Sequence, residues 1–172
     1  MELFVAKTFV KVECEEWTQA LPDAEVCCSG SAAAVLAFEG LGNLDCEISI
    51  VLADNKMVKN LNREWRGVAS ATDVLAFPNR EFCSVADLPQ LFGDVVVAFG
   101  VARRDAELDN LSLENHLLHL IVHGVFHLLG FDHLRDTDAK IMEAKETQVL
   151  EELGVTDPYV EKSLTESLSE VD

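Results

Sequence analysis

Apolar and polar positions alternate along residues 2–13, with Phe4, Ala6, Thr8, Val10 and Val12 on one side and Leu3, Val5, Lys7, Phe9 and Lys11 on the other. A period of two is that of a strand resting on a core, so the chain opens with β structure. The pattern loosens over residues 15–42, where residues 32–38 read as the apolar part of a helix ending near Gly40 or Gly42. Alternation returns over residues 46–53, with Ile48, Ile50 and Leu52 opposed to Glu47, Ser49 and Val51. After Asp54, a natural N-cap, residues 55–66 change to a helical period that places Met57, Leu61 and Trp65 on an apolar side. Residues 72–78 predict a third strand, closed by Pro78, and residues 93–99 a fourth, whose run Val95-Val96-Val97-Ala98 is as unbroken as a strand covered on both faces requires.

Helices follow. Residues 101–108 carry Arg103 and Arg104 on a polar side; Ser112 caps the next helix, with Glu114 in its first turn. The last helix starts at Asp136 or Asp138, has Ile141, Met142, Val149, Leu150 and Leu153 as its core face, and stops at Gly154. Four strands and about five helices in 172 residues suit one domain, placed at residues 1–154. Residues 155–172 read as an acidic, Ser/Thr-rich tail, largely disordered from about Lys162.

Composition narrows the classes. No apolar run approaches the roughly 20 residues of a membrane span, and Met1-Glu2-Leu3-Phe4 lacks the basic start of a signal peptide, so the expected location is the cytoplasm. The five cysteines, Cys14, Cys27, Cys28, Cys46 and Cys83, contain no C-x-x-C pair and fit reduced thiols. A formal charge of −18 argues against non-specific attraction to nucleic acid, so any RNA partner must be held locally. One local device exists: Lys56, Lys59, Arg63 and Arg66 recur at helical spacing and form a cationic ridge, with Arg66 at the end best placed to reach a neighbouring cleft. Charges more than about 8 Å away are largely screened at physiological salt, so the ridge can bind phosphates despite the net charge.

The candidate chemistry lies in His123-Gly124-Val125-Phe126-His127-Leu128-Leu129-Gly130-Phe131-Asp132-His133. On a helix, four residues turn through nearly a full circle, which sets His127 over His123 about 6 Å along the axis. Gly130 allows the left-handed turn that ends a helix and carries His133 back toward the pair. Three imidazoles with a vacant fourth position form the pattern of a catalytic zinc site, one Zn2+ per chain, with His123, His127 and His133 as ligands. All five histidines fall between His116 and His133; His116 and His119 either line the pocket mouth or pack structurally. The spacing is that of the zinc helix of metzincin proteases, yet Gly124 stands where those enzymes carry the glutamate that takes a proton from water, which disfavours ordinary zinc proteolysis. Asp132 is a candidate for proton transfer or for orienting a ligand histidine, whereas Asp73 and Asp94 are expected to cap or hydrogen-bond loops.

Three separated segments resemble one family, the YbeY-type endoribonucleases that mature bacterial rRNA. His123-Gly124-Val125-Phe126-His127-Leu128-Leu129-Gly130-Phe131-Asp132-His133 is similar to its HGxxHLxGxDH signature. Leu61-Asn62-Arg63-Glu64-Trp65-Arg66 and Thr72-Asp73-Val74-Leu75-Ala76-Phe77-Pro78 resemble LNxxYR and TDVLSFP, and Gly93-Asp94-Val95 resembles GD[IV]. Trp65 in place of tyrosine preserves an aromatic wall, while Ala76 in place of serine loses a hydroxyl. The similarity spans roughly residues 48–153; the first forty residues match no pattern. The resemblance implies an α+β fold with a mixed four-stranded sheet and a zinc ion on the histidines matching His123, His127 and His133. It also implies single-strand-specific RNA cleavage, a role in 16S rRNA 3′-end maturation and ribosome quality control, ribosome or small-subunit protein partners, and a functionally essential arginine at Arg66. For such a reaction a metal would either acidify a water or polarise the phosphate for attack by the RNA 2′-hydroxyl. Two alternatives stand beside it: a peptidase-like hydrolase with a base from elsewhere, and a zinc-stabilised ribosome-binding factor that is not an enzyme.

Overall fold

The computed structural model describes residues 6–80 and 89–155. The first residues of the expected opening strand, the loop around Cys83 and nearly all of the acidic tail lie outside them. Four strands, β1 (Lys7–Val12), β2 (Cys46–Ala53), β3 (Val74–Pro78) and β4 (Gln90–Ala98), form one sheet in the order β1-β2-β4-β3. The first, second and fourth run parallel, and β3 is antiparallel to β4, so the sheet is mixed. Among the described residues six helices complete an α+β fold: α1 (Glu15–Ala20), α2 (Ala24–Phe38), α3 (Asn55–Arg66), α4 (Phe99–Leu108), α5 (Leu113–Leu128) and α6 (Asp136–Glu152). No helix among the described residues is long and apolar enough to cross a membrane.

The main core lies on one face of the sheet, where Ile48, Ile50, Leu52, Val95 and Val97 meet side chains of α2 and α5. The histidine helix α5 is central: it packs against α2, α4 and α6 and against β3 and β4. It passes so close to β4 that a Cβ on Gly124 would stand 2.7 Å from Cγ1 of Val95. A smaller cluster on the opposite face joins Val58 of α3 to Leu75, Val96 and Ala98.

Several elements keep their expected limits. β2 and α3 do so at both ends, and the caps form as read: Asp54 accepts the Met57 N–H at 2.7 Å and Ser112 the Asn115 N–H at 3.0 Å. Other expectations are corrected. Residues 15–42 hold two helices rather than a loose stretch with one. The six-residue α1 is too short to display a period; it is held by Trp17, which is fully buried, donates to the Ala53 carbonyl at 3.2 Å and meets Phe99 edge on. On α3 the core side is Val58, Leu61 and Asn62, while Met57 and Trp65 point outward. On α6, Ile141 is exposed and Glu146 is buried in its stead.

Candidate metal centre

His123 and His127 stand one turn apart on α5, with ring centroids 4.5 Å apart and Nε2 atoms 3.0 Å apart. The chain reverses at Gly130, whose φ of +93° is strained for any residue with a Cβ. The return is fixed by the Phe131 N–H on the Phe126 carbonyl at 3.1 Å and by the two phenyl rings packing edge to face at 5.4 Å. Asp132 then accepts the backbone N–H of His133 at 2.6 Å, and the His133 ring stacks beside that of His123 at 5.6 Å. Each of the three histidines offers a ligand atom, and these atoms all lie within 4.8 Å of one another.

The partners of the other ring nitrogens set the chemistry of this trio. Nδ1 of His127 is 3.0 Å from the Phe131 carbonyl, which can only accept, so the proton of the neutral ring sits on Nδ1. Nδ1 of His123 donates likewise to Oε1 of Glu146 at 2.8 Å. Both Nε2 atoms are then left with bare lone pairs pointing at each other, a repulsive arrangement unless a cation lies between them. Two nitrogens held tetrahedrally by one zinc ion stand about 3.3 Å apart, close to the separation found. Burial first, and then electrostatic coupling to His123 and His133, holds the pKa of His127 below the ordinary imidazole value, against smaller upward pulls from the Phe131 carbonyl and Asp132. The ring is therefore neutral at neutral pH, the form in which an imidazole can bind a metal, and the donor set suits a metal ion.

Glu146 is the residue that the sequence reading missed. Its carboxylate is 1% exposed and also lies 3.4 Å from Nε2 of His119, so one buried acid steadies two histidines. Its position in the stripe Met142, Glu146, Val149 and Leu150 was the available signal, because a carboxylate on a buried face requires a partner. Asp132, the expected orienting acid, instead acts on the His133 main chain. Asp73 behaves as expected, accepting from the Thr72 hydroxyl and the Val74 N–H. Of the first two histidines, His119 lines the cleft, whereas His116 is buried outside its lining.

The trio opens into a cleft of about 960 Å³. Arg66, exposed at the C-terminal end of α3, lines the same cleft, as does Arg80, which the sequence reading did not single out. Ridge and histidine turn, 57 residues apart between Arg66 and His123, are thus brought to one cavity by the pairing of β3 with β4.

Fold and site define a small α+β protein carrying a three-histidine group able to hold a metal ion in an open, arginine-flanked cleft. The solution structure of TM1509 from Thermotoga maritima has the same fold, with a TM-score of 0.55 and 22% identity over 92% of this chain and 93% of that one. The family model described as Endoribonuclease YbeY matches residues 11–154, and the chain belongs to that family. Curated relatives named Endoribonuclease YbeY include one from Paramagnetospirillum magneticum, 44% identical over 156 residues, 89% of this chain and 95% of the relative. Another, from Bradyrhizobium diazoefficiens, is 37% identical over 158 residues, 90% of this chain and 86% of its own length.

Proposed function

We propose that this chain is a zinc-dependent endoribonuclease specific for single strands, with His123, His127 and His133 as the metal ligands and Arg66 as the phosphate-binding cation. Family membership supports the nuclease activity, and the convergence of two bare Nε2 lone pairs 3.0 Å apart is the observation that carries the metal. Bound there, a zinc ion supplies Lewis acidity to a phosphodiester and lowers the pKa of water. The chain's own groups do the rest. Glu146 and the Phe131 carbonyl hold the imidazoles in one tautomer, and Arg66, whose guanidinium offers five N–H donors, meets charge developing on the nonbridging oxygens. The cleavage step fits 16S rRNA 3′-end maturation and ribosome quality control in the cytoplasm, with the ribosome or small-subunit proteins as partners; the −18 charge requires that RNA be gripped locally.

Gly124 weighs against the peptidase-like alternative, since it supplies no base and the 2.7 Å approach to Val95 leaves no room for a larger side chain. The test is His127→Ala beside Arg66→Ala, with zinc content, melting temperature and cleavage of RNA and casein read on each. The expected outcome is loss of both zinc and RNA cleavage in the first variant and loss of cleavage alone, by about 100-fold or more, in the second. Turnover of casein without RNA cleavage overturns the nuclease reading. Collapse of the melting transition together with zinc in His127→Ala, while Arg66→Ala still cleaves, gives the metal a structural role instead.

A further inference from the structure

The sheet face turned away from α2 and α5 is only half covered. α3 packs over Leu75 and Val96 through Val58 and Leu61, and among the described residues no element packs over the other half. There Phe9, Ser49, Asp94 and Phe77 are successive cross-strand partners, one row running the width of the sheet, about 14 Å at the usual strand spacing. Phe9 (55% exposed), Leu91 (50%) and Trp65 (68%) come from three elements to line a single groove of about 670 Å³. A pocket of that volume is of ligand-binding size, and three large exposed apolar side chains at one place mark a surface built for contact.

Three observations say what occupies it. First, the groove and the metal cleft meet at β3: Ala76, Pro78 and Asn79 line both, and the adjacent residues Trp65 and Arg66 on the last turn of α3 line one each. Second, Trp65 meets Phe77 edge on, with centroids 6.0 Å apart and planes 63° apart, which keeps an indole face available. Third, Arg66, which follows Trp65 on the last turn of α3, is exposed in the adjoining cleft, so a cation able to meet phosphate stands beside the indole. A strand of nucleic acid has the matching chemistry, bases with π faces on one side and phosphates on the other. Glu47 and Asp94 on the groove floor repel phosphate and leave only the base side of such a strand acceptable there.

We propose that this groove is a base-stacking subsite: nucleobases flanking the scissile phosphate of single-stranded RNA lie against Trp65 and Phe77, and the phosphate beside them reaches Arg66. The inference rests on the ribonuclease reading and extends it to the path of the substrate. A duplex does not fit this mode, because its bases are stacked on one another and their faces are hidden.

The chain has two tryptophans, Trp17 fully buried and Trp65 exposed, so intrinsic emission reports on the groove. The zinc-loaded protein is titrated with a single-stranded 2′-O-methyl oligoribonucleotide of about ten nucleotides, a length in the range of single-strand sites. Stacking predicts saturable quenching that disappears in Trp65→Phe, with affinity lowered about tenfold or more in Trp65→Ala and less in Trp65→Phe. Cleavage of unmodified RNA by the wild type is measured alongside. If the wild type cleaves RNA but its emission is unmoved and Trp65→Ala binds as tightly as the wild type, the subsite is wrong and the ribonuclease stands. If the wild type cleaves no RNA, the underlying reading has failed instead. Sedimentation supplies the remaining outcome: dimers that Trp65→Ala dissociates, with oligonucleotide affinity unchanged, assign the groove to a second copy and overturn the proposal.

Discussion

Gly124 occupies the place where a zinc protease helix carries its base, and its reason is steric: α5 rests on β4 with Val95 filling the space a side chain would need. A single residue type thus answers to packing and leaves that position without a proton-accepting side chain. Glu146 is the complementary case, a charge retained in a core because two imidazoles satisfy it. Glu146→Gln keeps the shape and removes the charge that fixes His123 in its tautomer. Removing such an outer partner of a metal-bound imidazole costs about 10- to 100-fold in metal affinity. Competition against a chromophoric chelator is expected to show that loss with circular dichroism unchanged; an unaltered zinc affinity would take Glu146 out of the site.

At the scale of elements, α3 is the most legible piece of the chain. Its limits, its cap at Asp54 and its Gly67 stop, at φ +72°, all follow from local chemistry. Which of its faces is buried did not follow, because Val58 and Asn62 are chosen by the sheet beneath them and not by their own hydrophobicity; Asn62 is buried with its amide on the Ser70 carbonyl at 2.8 Å. If the outer face follows phosphates, Lys59→Ala and Arg63→Ala each remove one counterion-releasing contact. Each is then expected to weaken single-stranded RNA binding uniformly across sequences and to reduce the slope of log K against log salt by about 0.7. Unchanged slopes in both variants would return these cations to the role of a solvated face. α1 shows the opposite limit, since six residues complete too few turns to reveal a period and Trp17 becomes a core residue only through contacts with Ala53 and Phe99.

At the scale of the whole molecule, the same burial that tunes the site sets its response to acid. His116 is enclosed, and neither ring nitrogen has a hydrogen-bond partner among the described residues. Burial first, then the charge of His119, lowers its pKa, against smaller upward pulls from Asp73, Asp105 and Asp109. In the unfolded chain the ring titrates near 6.5, so below that pH the unfolded state binds more protons than the native one. Stability therefore falls as the pH drops through about 6.5 and continues to fall until the native ring itself is protonated. Urea midpoints of the metal-free protein at about pH 7.5 and about pH 5.5 are expected to differ in that direction, and His116→Leu to shrink the difference. An equal difference in the variant would mean that the acid response comes from other groups, among them His127, whose pKa is lowered as well.

The sequence alone determined what is encoded within a few turns of chain. Helix and strand periods located β2, α3 and most of the other elements, side-chain caps fixed the starts of α3 and α5, and the interval from His123 through Gly130 to His133 specified a converging trio. These features depend on neighbours in sequence, so reading along the chain recovers them. Only tertiary structure decided that α1 exists, that Glu146 and not Asp132 partners His123, and that Arg66 and Arg80 open onto the cleft of the histidines. The half-bare sheet face beside Trp65 belongs with these. Each depends on which distant segments meet when the sheet closes in the order β1-β2-β4-β3, an arrangement stabilised by burial that is non-directional and carries no label in the local pattern.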